Sequence, residues 1–293
     1  METSTTQAAT RVTSIDPNTS LGPVQLTVAD LDREIAFYRD VLGFELQERD
    51  ADCAALAAGG TELLRLVERR GAPRVTGTTG LYHFAVLVRQ RVELAQLLHR
   101  IAETRTPVQG LVDHHTHERI YLPDPEGNGI ELAWDRPKSE WPSAQDMYRR
   151  GNARLDVNRL LGELADDSTW PGLPAETAIG HVHLHVADLR AAEAFYHGVL
   201  GFDVTARLGD SAVFVAAGGY HHHVGFNLWA GAGAPPPPAG APGLDYFTVR
   251  LPNAAALEPV LARLREADLS PTEMADGLLV HDPSRNGVLL TAS

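Results

Sequence analysis

Residues 28–44 read VADLDREIAFYRDVLGF, and residues 186–202 read VADLRAAEAFYHGVLGF. The two stretches share Val-Ala-Asp-Leu, Phe-Tyr and Val-Leu-Gly-Phe at a single offset of 158 positions (188 − 30). Later in each half, Asp124-Pro125 and Asn128-Gly129 return as Asp282-Pro283 and Asn286-Gly287 at that same offset. Five features held at one spacing identify a duplicated half. In the first copy, residues 23–28 alternate like a half-buried strand, and Asp30 stands where a helix cap belongs. Ile35, Phe37, Tyr38 and Leu42 form the apolar stripe of the helix, which Gly43 stops. Strand-like runs follow at 44–49, 53–57 and 62–67.

The next quarter repeats the order, with a strand at 81–88, a helix near 91–104, and strands near 106–112, 117–122 and 129–134. The unit is therefore βαβββ, present four times at about 21–70, 78–136, 178–230 and 243–293. This is an α+β chain. The expected division is a disordered tail at 1–20, a first domain of two modules at 21–136, a linker at 137–177 and a second domain of two modules at 178–293. The linker is polar, is broken at Trp141-Pro142 and Trp170-Pro171-Gly172, and has room for one short helix near 155–165. Ala230–Gly243 contains four consecutive prolines, which cannot donate to a sheet, so it is loop or polyproline.

At 293 residues, with 44% hydrophobic and 22% charged side chains, the chain can bury a real core in two domains. Lys and Arg number 25 against 38 Asp and Glu, and the net charge of −13 repels phosphate backbones and anionic membranes. Neither nucleic acid nor a membrane is an expected partner. A single cysteine, Cys53, rules out an internal disulfide and any thiolate-cluster metal site. Residues 1–20 lack the apolar core of a secretory signal, which points to a cytoplasmic location. Thirteen histidines, several in runs, are the unusual feature of the composition.

The segments GLYHFAV (80–86), YLPDPEGNGIEL (121–132), IGHVHLHV (179–186), GGYHHHVGFNLW (218–229) and GLDYF (243–247) carry a resemblance. On them the chain resembles the vicinal oxygen chelate superfamily over nearly its whole length beyond residue 20. That group includes glyoxalases, fosfomycin-resistance enzymes and type I extradiol dioxygenases, and the nearest pattern is the bacterial catechol 2,3-dioxygenase-like branch. The resemblance implies four modules curled into two half-barrel domains. It also implies a ligand position on the first strand of a module and a Glu position on the last. The first-strand positions here are Pro23, His83, His181 and Tyr246, and the last-strand positions are Glu131 and Leu289.

Only modules two and three keep ligands. His83, Glu131 and His181 form the two-His, one-carboxylate set of non-haem Fe(II) enzymes, with Mn(II) the alternative ion. Modules two and three must then share one cavity, either within the chain or across a homodimer. A Glu inside Gly-Ile-Glu-Leu-Ala-Trp is costly to bury without a cation or partner, whereas a lone strand histidine such as His83 is more often a satisfied core residue than a ligand.

The resemblance further assigns proton transfer to His223, and contact with a substrate oxygen to Tyr121, ten residues before Glu131. His222, His183 and His115 are expected at the substrate, and His114 and His117 are read as polar loop residues near the entrance. A polar loop or a core strand explains each of these residues as well. The implied reaction is extradiol cleavage of a small aromatic diol by dioxygen. The rival readings are a metal-dependent isomerase, lyase or transferase of the glyoxalase or fosfomycin type, and a metal-free resistance protein that sequesters small molecules.

Overall fold

The first module begins with β1 (Ser20–Val28), whose Val24, Leu26 and Val28 are fully buried. A short helix α1 (Leu31–Ala36) follows, capped by the Asp30 carboxylate on Arg33 N–H. It does not run on to Gly43 as a regular helix. Phe37–Val41 widens into a π-helical turn, and Ala194–Val199 does the same in the third module. The widened turns contain Tyr38 and Tyr196, both fully buried, whose hydroxyls donate to Asp124 and Asp282 at 3.0 and 3.1 Å. Gly43 (φ 79°) then ends the turn, where a Cβ would meet Trp170 at 2.6 Å.

The module closes with β2 (Glu45–Arg49), β3 (Cys53–Ala58) and β4 (Thr61–Glu68). The second contains β5 (Gly80–Val88), α2 (Arg91–Glu103), β6 (Gly110–Asp113), β7 (His117–Pro123) and β8 (Gly129–Asp135). β9 (Ala153–Arg154) and α3 (Val157–Leu161) lie in the connecting segment. The third module holds β10 (Ala178–His185), α4 (Leu189–Glu193), β11 (Asp203–Leu208), β12 (Ala212–Ala216) and β13 (Val224–Asn227). The fourth holds β14 (Gly243–Leu251), α5 (Ala254–Glu266), β15 (Thr272–Met274), β16 (Gly277–His281) and β17 (Gly287–Ala292). This computed structural model describes residues 14–143, 146, 151–165 and 170–292. No helix among the described residues is long and apolar enough to cross a membrane.

Two sheets result. One runs β15-β16-β17-β14-β1-β4-β3-β2, and the other β11-β12-β13-β10-β5-β8-β7-β6-β9. The sheets therefore do not follow the division at 21–136 and 178–293. Modules one and four share one sheet, modules two and three share the other, and both pairings form within a single chain. Antiparallel first strands make each seam, β1 against β14 and β10 against β5. Consecutive modules are instead tied by the Tyr38–Asp124 and Tyr196–Asp282 hydrogen bonds, each across 86 positions.

Two further expectations change. The tail at 1–20 falls mostly on residues outside the described set. Of the rest, Ile15 is buried with its N–H on Gly201 O, and Ser20 already opens β1. The segment 137–177 is more than a connector, because β9 adds an edge strand to β6 and Leu173 N–H donates to Gly43 O. The helix expected near 155–165 is the shorter α3, which buries Leu160.

Candidate metal centre

The β5–β10 seam places two imidazoles side by side at the middle of the second sheet. His83 is on β5 and His181 on β10, and their Nε2 atoms lie 3.3 Å apart. β8 runs parallel to β5, pairing Ala85 with Glu131. It brings Glu131 Oε2 to 3.2 Å from both Nε2 atoms. Glu131 is fully buried, and His181 and His83 are 1% and 3% exposed. Burial pushes the His181 imidazole down to about 4, so it is neutral near pH 7. Two imidazole nitrogens and a carboxylate oxygen thus face one another in a buried site, and Glu131 Oε1 has no hydrogen-bond partner. A divalent cation fits this donor set, since a cation is what unprotonated N and O atoms at such spacing lack.

One positive charge is already present. Arg119 is buried on β7 and donates from Nη1 to Glu131 Oε2 at 3.0 Å and to Tyr121 Oη at 2.7 Å. Burial raises the Glu131 carboxyl, but the Arg119 charge and the His181 and His83 contacts outweigh it and hold the group well below its ordinary value. Tyr121 stands directly across from Glu131 in the β7–β8 ladder. Burial raises its phenol, the Arg119 charge opposes that rise and Glu131 adds to it, and the phenolic oxygen accepts from Arg119.

The three histidines at 221–223 do not behave as a strand. They form a bend before β13, so alternation does not sort them. His222 is the one against the triad, its ring centroid 4.2 Å from that of His181 and its Nε2 buried without a partner. The structure does not bring His223 to the triad. Its Nδ1 accepts from Ala217 N–H at 3.1 Å, and its ring lies by Tyr220 and Phe202. His183 pairs with His83 across the seam and sits edge-on to it at 5.1 Å. His115 is not brought to the site. Held at φ 65°, its Nε2 contacts Gly151 O, on the side of the connecting segment.

Arg119 and Asp135 escaped the sequence reading, which expects His117 in a loop. Arg119 and His117 precede Tyr121 by two and four positions on β7, and Asp135 follows Glu131 by four on β8. Strand alternation puts each on its neighbour's face, which is the signal that could have found them. His117 is buried and stacked on His221 at 4.4 Å, not a polar loop residue. His221 contacts Asp135 Oδ1 through Nε2 at 3.2 Å.

A cavity of about 200 Å³ opens beside His83, lined by Tyr82, Gln109, Val112, Tyr121 and Ile130. Trp229 meets Tyr82 edge-on at 5.1 Å. The other half-barrel has a cavity of about 290 Å³ at the matching place, where Pro23, Tyr246 and Leu289 replace the ligands. In it Tyr246 pairs with Gln25 as His83 pairs with His183.

Residues 20–132 and 178–287 match the model of the Glyoxalase/Bleomycin resistance protein/Dioxygenase superfamily. The chain is 43% identical over 277 residues to a catechol-2,3-dioxygenase of Bacillus subtilis (strain 168), covering 93% of this chain and 96% of that one. Among solved structures it resembles a putative dioxygenase from Bacillus subtilis (TM-score 0.65, 12% identity, 96% and 86% of the two chains). It also resembles glyoxalase I from Zea mays (TM-score 0.58, 17% identity, 94% and 92%). At these identities the solved structures speak for the fold alone. With four βαβββ modules in two sheets, and family matches in both halves, the chain belongs to the Glyoxalase/Bleomycin resistance protein/Dioxygenase superfamily.

Proposed function

We propose that the protein is an extradiol dioxygenase that opens the ring of a small catechol-type substrate with dioxygen, in the cytoplasm. The observation that carries this reading is the buried convergence of His83, Glu131 and His181 with His222 and Tyr121 beside them. The 43% identity to a catechol-2,3-dioxygenase supports it.

His83, Glu131 and His181 would hold Fe(II), or Mn(II) as the second choice. Such an ion, when bound, supplies open positions for two vicinal oxygens and dioxygen and a path for electrons between them. The chain's own residues do the rest. The unpartnered Nε2 of His222 is placed to take a proton from a substrate hydroxyl, and burial keeps that imidazole neutral and ready to accept. Tyr121 donates its phenolic proton to a substrate oxygen, with its own oxygen held by Arg119. Tyr82, His183 and Trp229 offer edge and face contacts to an aromatic ring at the mouth.

The test is oxygen consumption after anaerobic loading with Fe(II). With catechol, one dioxygen should disappear for each ring-opened product. The fold likeness to glyoxalase I keeps a second reading, an isomerase with the same ligands. Isomerisation of a glutathione hemithioacetal without oxygen uptake would replace the first reading by the second.

A further inference from the structure

Next to His222 lies a chain of polar groups that the reaction described above leaves unused. Tyr220 Oη donates to Asp135 Oδ2 at 2.6 Å. Asp135 Oδ1 lies 3.2 Å from His221 Nε2, and His221 Nδ1 lies 2.9 Å from His222 Nδ1. The rings of His221 and His222 are nearly fixed, the first stacked on His117 at 8° and the second wedged between His181 and Phe214.

These contacts have a direction. Asp135 is held below its ordinary value, because the His221 and Tyr220 hydrogen bonds outweigh its burial, and an ionised carboxylate only accepts. His221 Nε2 must then carry the proton that it donates. A neutral His221, favoured by its burial, has a lone pair on Nδ1. The 2.9 Å contact then requires the proton to sit on His222 Nδ1. His222 is left with its lone pair on Nε2, the buried atom beside the triad.

We propose that Asp135 and His221 are positioning residues that fix the tautomer of His222, presenting its Nε2 lone pair to the site. The role of His222 as proton acceptor rests on the ring-cleavage reading; the tautomer does not. The arrangement works as the carboxylate does in a Ser-His-Asp triad, where the acid orients an imidazole without taking its proton. Here one extra imidazole is interposed. His117, Asp135 and His221 also bring ligand atoms within 4.8 Å, the pattern of a second ion site. The stacked rings of His117 and His221 argue against it, since imidazole lone pairs lie in the ring planes and parallel planes do not converge on one ion.

The experiment compares wild type, Asp135→Asn, His222→Gln and the double variant. Imidazole ¹⁵N resonances of the zinc-loaded protein report which nitrogen of His222 is protonated, and His222→Gln assigns them. Wild type should show a proton on Nδ1 and a lone pair on Nε2, and Asp135→Asn should lose that preference. In the Fe(II) enzyme, His222→Gln should lower kcat roughly a hundred-fold. Asp135→Asn should lower kcat by most of that factor with KM for catechol little changed, and the double variant should be no slower than His222→Gln alone. Asp135→Glu should recover part of the loss.

A wild-type His222 protonated on Nε2 overturns the proposal even if every variant fails to fold. So does an unchanged tautomer in Asp135→Asn, additive losses in the double variant, or a second metal equivalent that Asp135→Asn removes. Absence of oxygen uptake by the wild type would refute ring cleavage and leave the tautomer measurement to decide this proposal.

Discussion

Glu34 offers a measurable stability effect away from the site. It lies on α1, fully buried, with neither carboxylate oxygen hydrogen-bonded and the nearest cation, Arg33 Nε, at 3.9 Å. Burial, reinforced by Asp124 and Glu126, pushes its carboxyl up to about 9. In the unfolded chain the group titrates near 4.5. A folded value above the unfolded one means that its contribution is intact below pH 4.5 and is lost as pH rises toward 9. Each pH unit in that window costs about 1.4 kcal/mol, so at pH 7 the accumulated cost is roughly 3 kcal/mol. Glu34→Gln has similar volume and no charge at any pH. Its stability advantage should be near its minimum around pH 5 and widen by about 1.4 kcal/mol per unit toward pH 8. The amide's own desolvation moves the whole curve without changing that slope. Urea unfolding at four pH values measures it, and parallel curves for the two proteins would refute the reasoning. The third module has Ala192 at the equivalent position, consistent with a carboxyl that the fold does not need.

Three further outcomes are expected. Metal analysis should find one divalent ion per chain, and His83→Ala should abolish it; retention in that variant would exclude His83 as a ligand. Arg119→Met should slow turnover by roughly thirty-fold, the loss of a hydrogen bond from a charged donor worth about 2 kcal/mol, while tightening the ion by freeing Glu131 Oε2; equilibrium dialysis and steady-state rates read the two effects apart. His223 is pushed down to about 4 by burial with His221 and His181 adding to it, so it opposes folding as pH falls from 6.5 toward 4. His223→Asn keeps an acceptor for Ala217 N–H, and should flatten acid unfolding in that window while leaving metal content and turnover unchanged.

The repeat made the module boundaries legible, because duplication holds every cap, aromatic pair and turn at one offset. The positions of His83, Glu131 and His181 were legible through the family resemblance, which ties each to a place on the first or last strand of a module. What the sequence concealed was local geometry outside regular strands. The resemblance assigns proton transfer to His223, but residues 221–223 form a bend rather than a strand, and that bend turns His222 toward His181. Alternation does hold along β7 and β8, where it sets Arg119 and His117 on the face of Tyr121 and Asp135 on that of Glu131, and there the expected polar loop at His117 is strand. Pairing between modules leaves no mark in the strand patterns either, because β5 has the same apolar run whichever first strand it meets. Only the uneven distribution of ligands hinted at the partner.

The crossed pairing sets the order in which this protein can be made. As the chain leaves the ribosome, modules one and two emerge with both seams bare, β1 waiting for β14 and β5 for β10. Exposed first strands of that kind are sticky, and a second nascent copy offers the same edges. His83 and His181 stand 98 positions apart, so no ion can find its full set of ligands until the third module has been synthesised and docked. Capture of an ion at this site would therefore wait for the third module and would be indifferent to the fourth, whose β14 to β17 carry none of the three side chains. A polypeptide cut within 137–177 would strand His83 and Glu131 on one fragment and His181 on the other, and two such fragments mixed together should regain the ion that neither holds alone.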